Sequence, residues 1–187
     1  MNDTYRVVTF ISRNKDNKDI ENFKQRSKSF LTLYNQDFIL KEFQNFVRGG
    51  QAGETSRLYV SVNQVDYKSV MKEFIKFLID EDFDCEPHKV MPKLASLGSL
   101  QENKLTKHWL FDFDSADADL YNEFSREVRE IAQKGDNLCW FKEKITPNGW
   151  HLVVSHGFDT RELMKKWGDI VELKRDAMLL NTWSLNC

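Results

Sequence analysis

"HWLFDFDS", residues 108–115, sets two aspartates one residue apart at the end of an apolar run. The apolar run reads as a strand, and residues i and i+2 of a strand share a face. Asp112 and Asp114 are therefore expected on one face, roughly 7 Å apart at Cα. The next stretch, "SADADLYNEFSREVREIAQKG", has helical spacing, with Ser115 as expected N-cap, acidic residues in the first turns and Gly135 at the end. "NLCWFKEKI" and "GWHLVVSHG" then read as two strands joined through "TPN" into a hairpin. "DTRELMKKWG" reads as a short helix capped by Asp159 or Thr160 and stopped by Gly168, and "DIVELKRDAMLLNTW" as a final strand or pair of strands. Helices interleave with strands, yet the hairpin is antiparallel. The pattern predicts an α+β fold, a mixed or antiparallel sheet flanked by helices.

Working outward toward the N-terminus, "RLYVSVN" alternates with Leu58, Val60 and Val62 on one face, and "DYKSVMKEFIKFLIDED" puts Val70, Phe74, Phe77 and Leu78 on one helical stripe behind Asp66 as N-cap. "DFILKEFQNFVRGG" reads as a helix stopped by Gly49 and Gly50, and "TYRVVTFIS" as a first strand. "DIENFKQRSKSFLTL" reads as a weak helix carrying Ile20, Phe23, Phe30 and Leu31. Residues 83–104, with two prolines and a glycine, read as a long irregular loop or small subdomain.

At 187 residues the chain is expected to form one domain, 1–187. Residues 1–50 carry no readable motif and would form a lobe or extend the sheet, with a core over residues 57–183. Fourteen Phe and five Trp supply enough apolar surface for that core. A net charge of −2 excludes a strongly basic nucleic-acid-coating protein, but 27 Lys and Arg can still segregate into a local basic channel. Cys85, Cys139 and Cys187 are isolated from one another and from His pairs, which argues against structural zinc and for reduced thiols. The N-terminus lacks the pattern of a signal peptide, and no apolar run approaches the roughly 20 residues a bilayer requires. A cytoplasmic protein without a membrane partner is expected.

Two readings compete for Asp112 and Asp114. They mark a strand end and a helix cap, or they hold a metal ion. Paired carboxylates on one face repel, a divalent cation relieves the repulsion, and Mg²⁺ commonly sits on one or two carboxylates plus phosphates. His151 follows a tight Pro-Asn-Gly turn and faces opposite to Leu152, so it reaches the aspartates' surface if the two strands are neighbours. Asp176 can supply a third carboxylate, with Glu172 as competitor, and Arg57 at a strand start can meet an anion bidentately. Each of these also has an ordinary reading as a strand-edge or solvated polar group.

The order of elements resembles the catalytic core of the archaeo-eukaryotic primase superfamily, which includes primase-polymerases. The superfamily's apolar-Asp-apolar-Asp motif is matched by "LFDFD", its small-x-His motif by "GWH", and its apolar strand with an acidic residue by "VELKRDAMLL". The "PNGWH" and "LKRDAMLL" wording looks like small phage and plasmid members, and the resemblance covers roughly residues 57–180. It implies an RRM-like catalytic core and a DNA primase or polymerase activity, a two-metal nucleotidyl transfer to a 3′-hydroxyl. It implies that Asp112, Asp114 and Asp176 hold two Mg²⁺ or Mn²⁺ ions and that His151 contacts the triphosphate. Arg57, Gly149, Asn148, Lys144 and Lys174 would complete the nucleotide site, with Arg175 a weaker candidate for phosphate or template contact. The implied partners are nucleoside triphosphates, a DNA template and primer, and a helicase or other replication protein. Gly149 stands where the family often has Ser. Two alternatives accompany this reading: a non-catalytic nucleotide or single-stranded nucleic-acid-binding protein on the same fold, and a metal-dependent nuclease.

Overall fold

The computed structural model describes residues 4–134 and 138–186. They divide into two compact units. One is made of the chain up to Leu105 together with the segment from Leu180, the other of Thr106–Leu179. Both are α+β. Among the described residues no helix is long and apolar enough to cross a membrane.

The first unit is built on a four-stranded sheet. Strand β1 (Tyr5–Ser12) pairs antiparallel with β2 (Arg26–Leu33) along its whole length and, on its other side, antiparallel with β3 (Thr55–Ser61). Helices α1 (Gln36–Arg48), α2 (Tyr67–Asp80) and α3 (Pro87–Ser99) belong to the same unit. The last strand of the chain, β8 (Met178–Leu185), completes the sheet in the order β2-β1-β3-β8. The register brings Val8, Phe10, Phe30, Leu58 and Val60 onto one face, where α1 lays Ile39, Phe43 and Val47. On the opposite face α3 comes so close that a Cβ at Gly98 would lie 3.0 Å from Val7 Cγ2 and 3.4 Å from Leu31 Cδ1. Asp66 caps α2 as its position predicts, accepting from Lys68 N and Ser69 N. Asn35 plays the same part for α1, accepting from Phe38 N at 3.0 Å.

Two segments differ from expectation. The residues read as a weak helix, 19–33, hold β2 instead. Phe30 and Leu31, which a helical stripe would place together, are buried on opposite faces of a sheet that is covered by helices on both sides. The segment read as an irregular loop, 83–104, contains the thirteen-residue helix α3. Its Pro87 is in the first turn, where a missing N–H costs no helical bond, and Pro92 is carried within the helix.

The second unit runs β4 (Trp109–Phe113), α4 (Ala118–Ala132), β5 (Phe141–Thr146), β6 (Gly149–Val154), α5 (Arg161–Trp167) and β7 (Val171–Lys174). The strand order is β5-β6-β4-β7, with every neighbouring pair antiparallel. This is a β-α-β-β-α-β arrangement with β4 in the middle of the sheet. Phe111 and Phe113 point to the face where α4 and α5 bring Tyr121, Phe124, Val128, Leu163 and Trp167. Burying each such aromatic contributes roughly 2–3 kcal/mol. The alternation then leaves Leu110 and Asp112 to the other face.

The helix caps and strand ends bring local corrections. Asp117, not Ser115, caps α4: its carboxylate accepts from Asp119 N (2.9 Å) and Leu120 N (3.1 Å), while Ser115 Oγ accepts from Asp117 N one step earlier. Gly135, expected at the end of α4, lies outside the described residues, as does Asn137 at the expected start of β5. Strand β5 begins only at Phe141. The hairpin turn is Pro147-Asn148, and α5 starts behind Thr160 and stops at Gly168.

Candidate functional site

Register places four polar side chains in one line across the second unit's sheet. Lys144 on β5 is opposite His151 on β6, His151 is opposite Asp112 on β4, and Asp112 is opposite Glu172 on β7. Directly opposed residues share a face. His151 Nε2 lies 3.1 Å from Asp112 Oδ1. Lys174, two residues along β7 from Glu172 and so on the same face, reaches diagonally: its Nζ donates to Asp112 Oδ2 at 2.5 Å and lies 2.9 Å from Glu172 Oε2. The Asp112 side chain is 18% exposed and that of His151 8%. The imidazole Nδ1 is buried without a hydrogen-bond partner.

The charges tune one another. Burial alone would raise the Asp112 carboxyl, but hydrogen bonds and charge from His151 and Lys174 outweigh it and hold the group down at about 2. Burial would lower the Lys174 ammonium, and Asp112 and Glu172 more than reverse that. Lys144, by contrast, is lowered by burial and by the neighbouring charge of Lys142. A carboxyl depressed in the folded state stabilises the fold fully above its unfolded value, near 3.8, and loses that contribution as pH falls through about 2. With solvent screening discounted, Asp112 should contribute roughly 1–2 kcal/mol at neutral pH. Denaturant melts of the wild type and Asp112→Asn should therefore differ at pH 6 and converge between pH 4 and pH 2. A gap that stays constant over that range would refute this role for Asp112.

The remaining expected site residues are spread over both units. Asp114 lies one residue beyond β4, exposed, with its N–H donating to Ile170 O at 2.8 Å. Asp176 sits in the bend between β7 and β8, beyond the paired register that Glu172 occupies. Arg175 lies with its guanidinium carbon 5.3 Å from the Trp109 ring centroid. Asn148 is in the hairpin turn and Gly149 opens β6. Arg57 belongs to the first unit, where its Nη2 donates to Asp16 Oδ1 at 2.8 Å. Its Nε is buried without a partner.

Gly149 has a steric reason to be glycine. An added Cβ would fall 1.9 Å from Phe113 O and 2.9 Å from Ser115 O, both backbone atoms of the segment that carries Asp112 and Asp114. A serine, the residue the resemblance would put here, meets the same obstruction. Glu172, the competitor to Asp176 in the sequence, is the acidic residue that the register sets beside Asp112. Its signal is the alternation of "VELK", which puts Glu172 and Lys174 on one strand face.

Among the described residues no three His, Cys, Asp or Glu side chains gather as a group that could hold a metal ion. The donor chemistry nonetheless suits a cation. Asp112 and Glu172 already share one, the Lys174 ammonium, and the unpartnered Nδ1 of His151 is buried beside them. No protein-family model, curated protein or solved structure matches the chain.

Proposed function

We propose that the second unit is a nucleotidyltransferase core of the primase-polymerase type, with the RRM-like sheet such cores use. The observation that supports this most is the cross-strand line itself: a carboxylate on the central strand β4, a histidine on one neighbour and a second carboxylate on the other. In this reading Asp112 and Glu172, with Asp114 and Asp176 as the further acidic residues, hold Mg²⁺ or Mn²⁺. When bound, such ions activate the attacking 3′-hydroxyl and neutralise the leaving pyrophosphate.

The chain's own residues do the rest. His151, held through Nε2 by Asp112, keeps its Nδ1 without a protein partner and is the imidazole this reading assigns to the triphosphate. Lys144 and Lys174 add positive charge on either side of that histidine for the triphosphate. Nucleoside triphosphates, a DNA primer-template and a helicase or other replication protein are the partners this activity implies.

The test is incubation with a primed template, labelled dNTPs or NTPs, and Mg²⁺ or Mn²⁺. Primer extension is expected, and Asp112→Ala should reduce it by about 100-fold or more while His151→Ala weakens nucleotide binding. Extension unaffected by Asp112→Ala would refute the assignment. One observation favours a second reading, nucleotide binding without transfer: Lys174 already fills the place between the two carboxylates. Nucleotide binding with no incorporation under either metal would select it, and degradation of single-stranded DNA without added nucleotide would point to a nuclease.

A further inference from the structure

We infer that Lys174 is an exchangeable counter-ion, which holds the cation position between Asp112 and Glu172 in the ligand-free protein and gives it up when a divalent ion binds. The inference rests on the nucleotidyltransferase reading of this face and adds a competitor to it. Two carboxylates stand directly opposite each other on β4 and β7, an arrangement that is unfavourable without a positive charge between them. Lys174 supplies that charge from the adjacent, diagonal position, touching Asp112 Oδ2 at 2.5 Å and Glu172 Oε2 at 2.9 Å. The other oxygen of Asp112 faces His151. Both oxygens of the central carboxylate are thus engaged by the protein, and an ion approaching Oδ2 meets the repulsion of an ammonium already in contact with it.

Withdrawal is within the side chain's means. Lys174 sits at the end of β7 and is 34% exposed, on a flexible four-carbon stem. A divalent ion brings one more positive charge than the ammonium it replaces, so two carboxylates are fully neutralised and the lysine is freed to pair with phosphate. His151, more than nine-tenths buried, holds the other oxygen of the same carboxylate through Nε2 and leaves its Nδ1 without a protein partner. The arrangement would disfavour metal binding alone and favour metal arriving with a triphosphate, since only then does the displaced ammonium regain an anionic partner.

The experiment measures Mn²⁺ binding, without nucleotide, to the full chain by electron paramagnetic resonance and calorimetry. Wild type, Lys174→Met and Asp112→Asn are compared, together with the double variant. Lys174→Met should bind Mn²⁺ about 10-fold or more tightly than the wild type, because a positive charge in contact with the site has been removed. Asp112→Asn should abolish binding in both backgrounds. Mn²⁺ should also raise the melting temperature of Lys174→Met more than that of the wild type. Lys174→Gln, which keeps a donor for Asp112, gives the same comparison if the methionine variant does not fold. Equal or weaker binding in the lysine variants, with Asp112→Asn still abolishing it, would overturn the exchange and leave the carboxylate site standing. Absence of Mn²⁺ binding in every variant would overturn both.

Discussion

Gly149→Ala should destabilise the protein by about 3 kcal/mol or more, and with it the register of the candidate site. The added methyl would stand 1.9 Å from Phe113 O and 3.0 Å from Ser115 N. Those are backbone atoms, so no rotamer change clears the way. Strand β6 would have to move off β4, and the pairs lost first are Phe113↔Trp150 and Asp112↔His151. The same shift also disturbs the packing of Trp150 on Tyr121, whose rings stack with centroids 4.7 Å apart. Gly49→Ala is the natural contrast. Its Cβ would meet only ordinary contacts, at 3.6 Å, with φ at −79°. That variant should stay within about 0.5 kcal/mol of the wild type. Urea melts of the two variants decide the matter: if Gly149→Ala is as stable as Gly49→Ala, the close approach of β6 to β4 is not real.

Glu54→Ala should cost about 3–5 kcal/mol in the first unit, the expected loss when one partner of a buried charge pair is removed. Glu54 is 1% exposed. Its carboxylate accepts from Ser12 Oγ, from Arg26 Nε at 2.6 Å and from Gln51 N at 2.8 Å. The Arg26 guanidinium also lies over the Phe46 ring, 4.0 Å from its centroid, and its Nη2 already lacks a partner. Removing the carboxylate would leave that cation uncompensated and untie the 50–54 turn. Burial pushes the Glu54 carboxyl up, but the bonds from Ser12, Gln51 and Arg26 carry it below the usual range. Its contribution is therefore present above the unfolded value near 4.5 and is lost as pH falls through the depressed folded value. Glu42→Ala, which breaks the more exposed 2.9 Å pair with Lys28, should cost no more than about 1 kcal/mol. Thermal and urea melts at pH 7 compare the two. Equal losses would mean that Glu54 is not the buried anchor described.

Elements with one clear period were legible in the sequence. "RLYVSVN" alternates because its strand has one apolar face to satisfy, "WLFDF" reads as a strand from its apolar run, and α4 shows its stripe because only one side meets the sheet. Strand β2 was not legible, because Phe30 and Leu31 are both buried, one under each helical layer, and adjacent apolar residues carry no period. Helix α3 was hidden by prolines that a helix tolerates at its start and, here, once within. At the site, the sequence put Asp112 and His151 on strands but could not say that the strands are neighbours. Glu172 and Lys174 were harder still. Their importance comes from a diagonal contact across β4 and β7, which exists only once the register is set.

The first unit is interrupted in sequence: its sheet needs β8, which is synthesised after nearly the whole of Thr106–Leu179. Joining β3 to β8 thus means closing a long loop, at an entropic cost that grows with loop length. The second unit shortens that loop by folding. Its entry strand β4 and its exit strand β7 lie side by side, with Leu110 opposite Lys174, so the chain leaves the folded unit next to where it entered. Folding of the middle of the chain therefore lowers the entropic cost of bringing the two separated parts of the other sheet together.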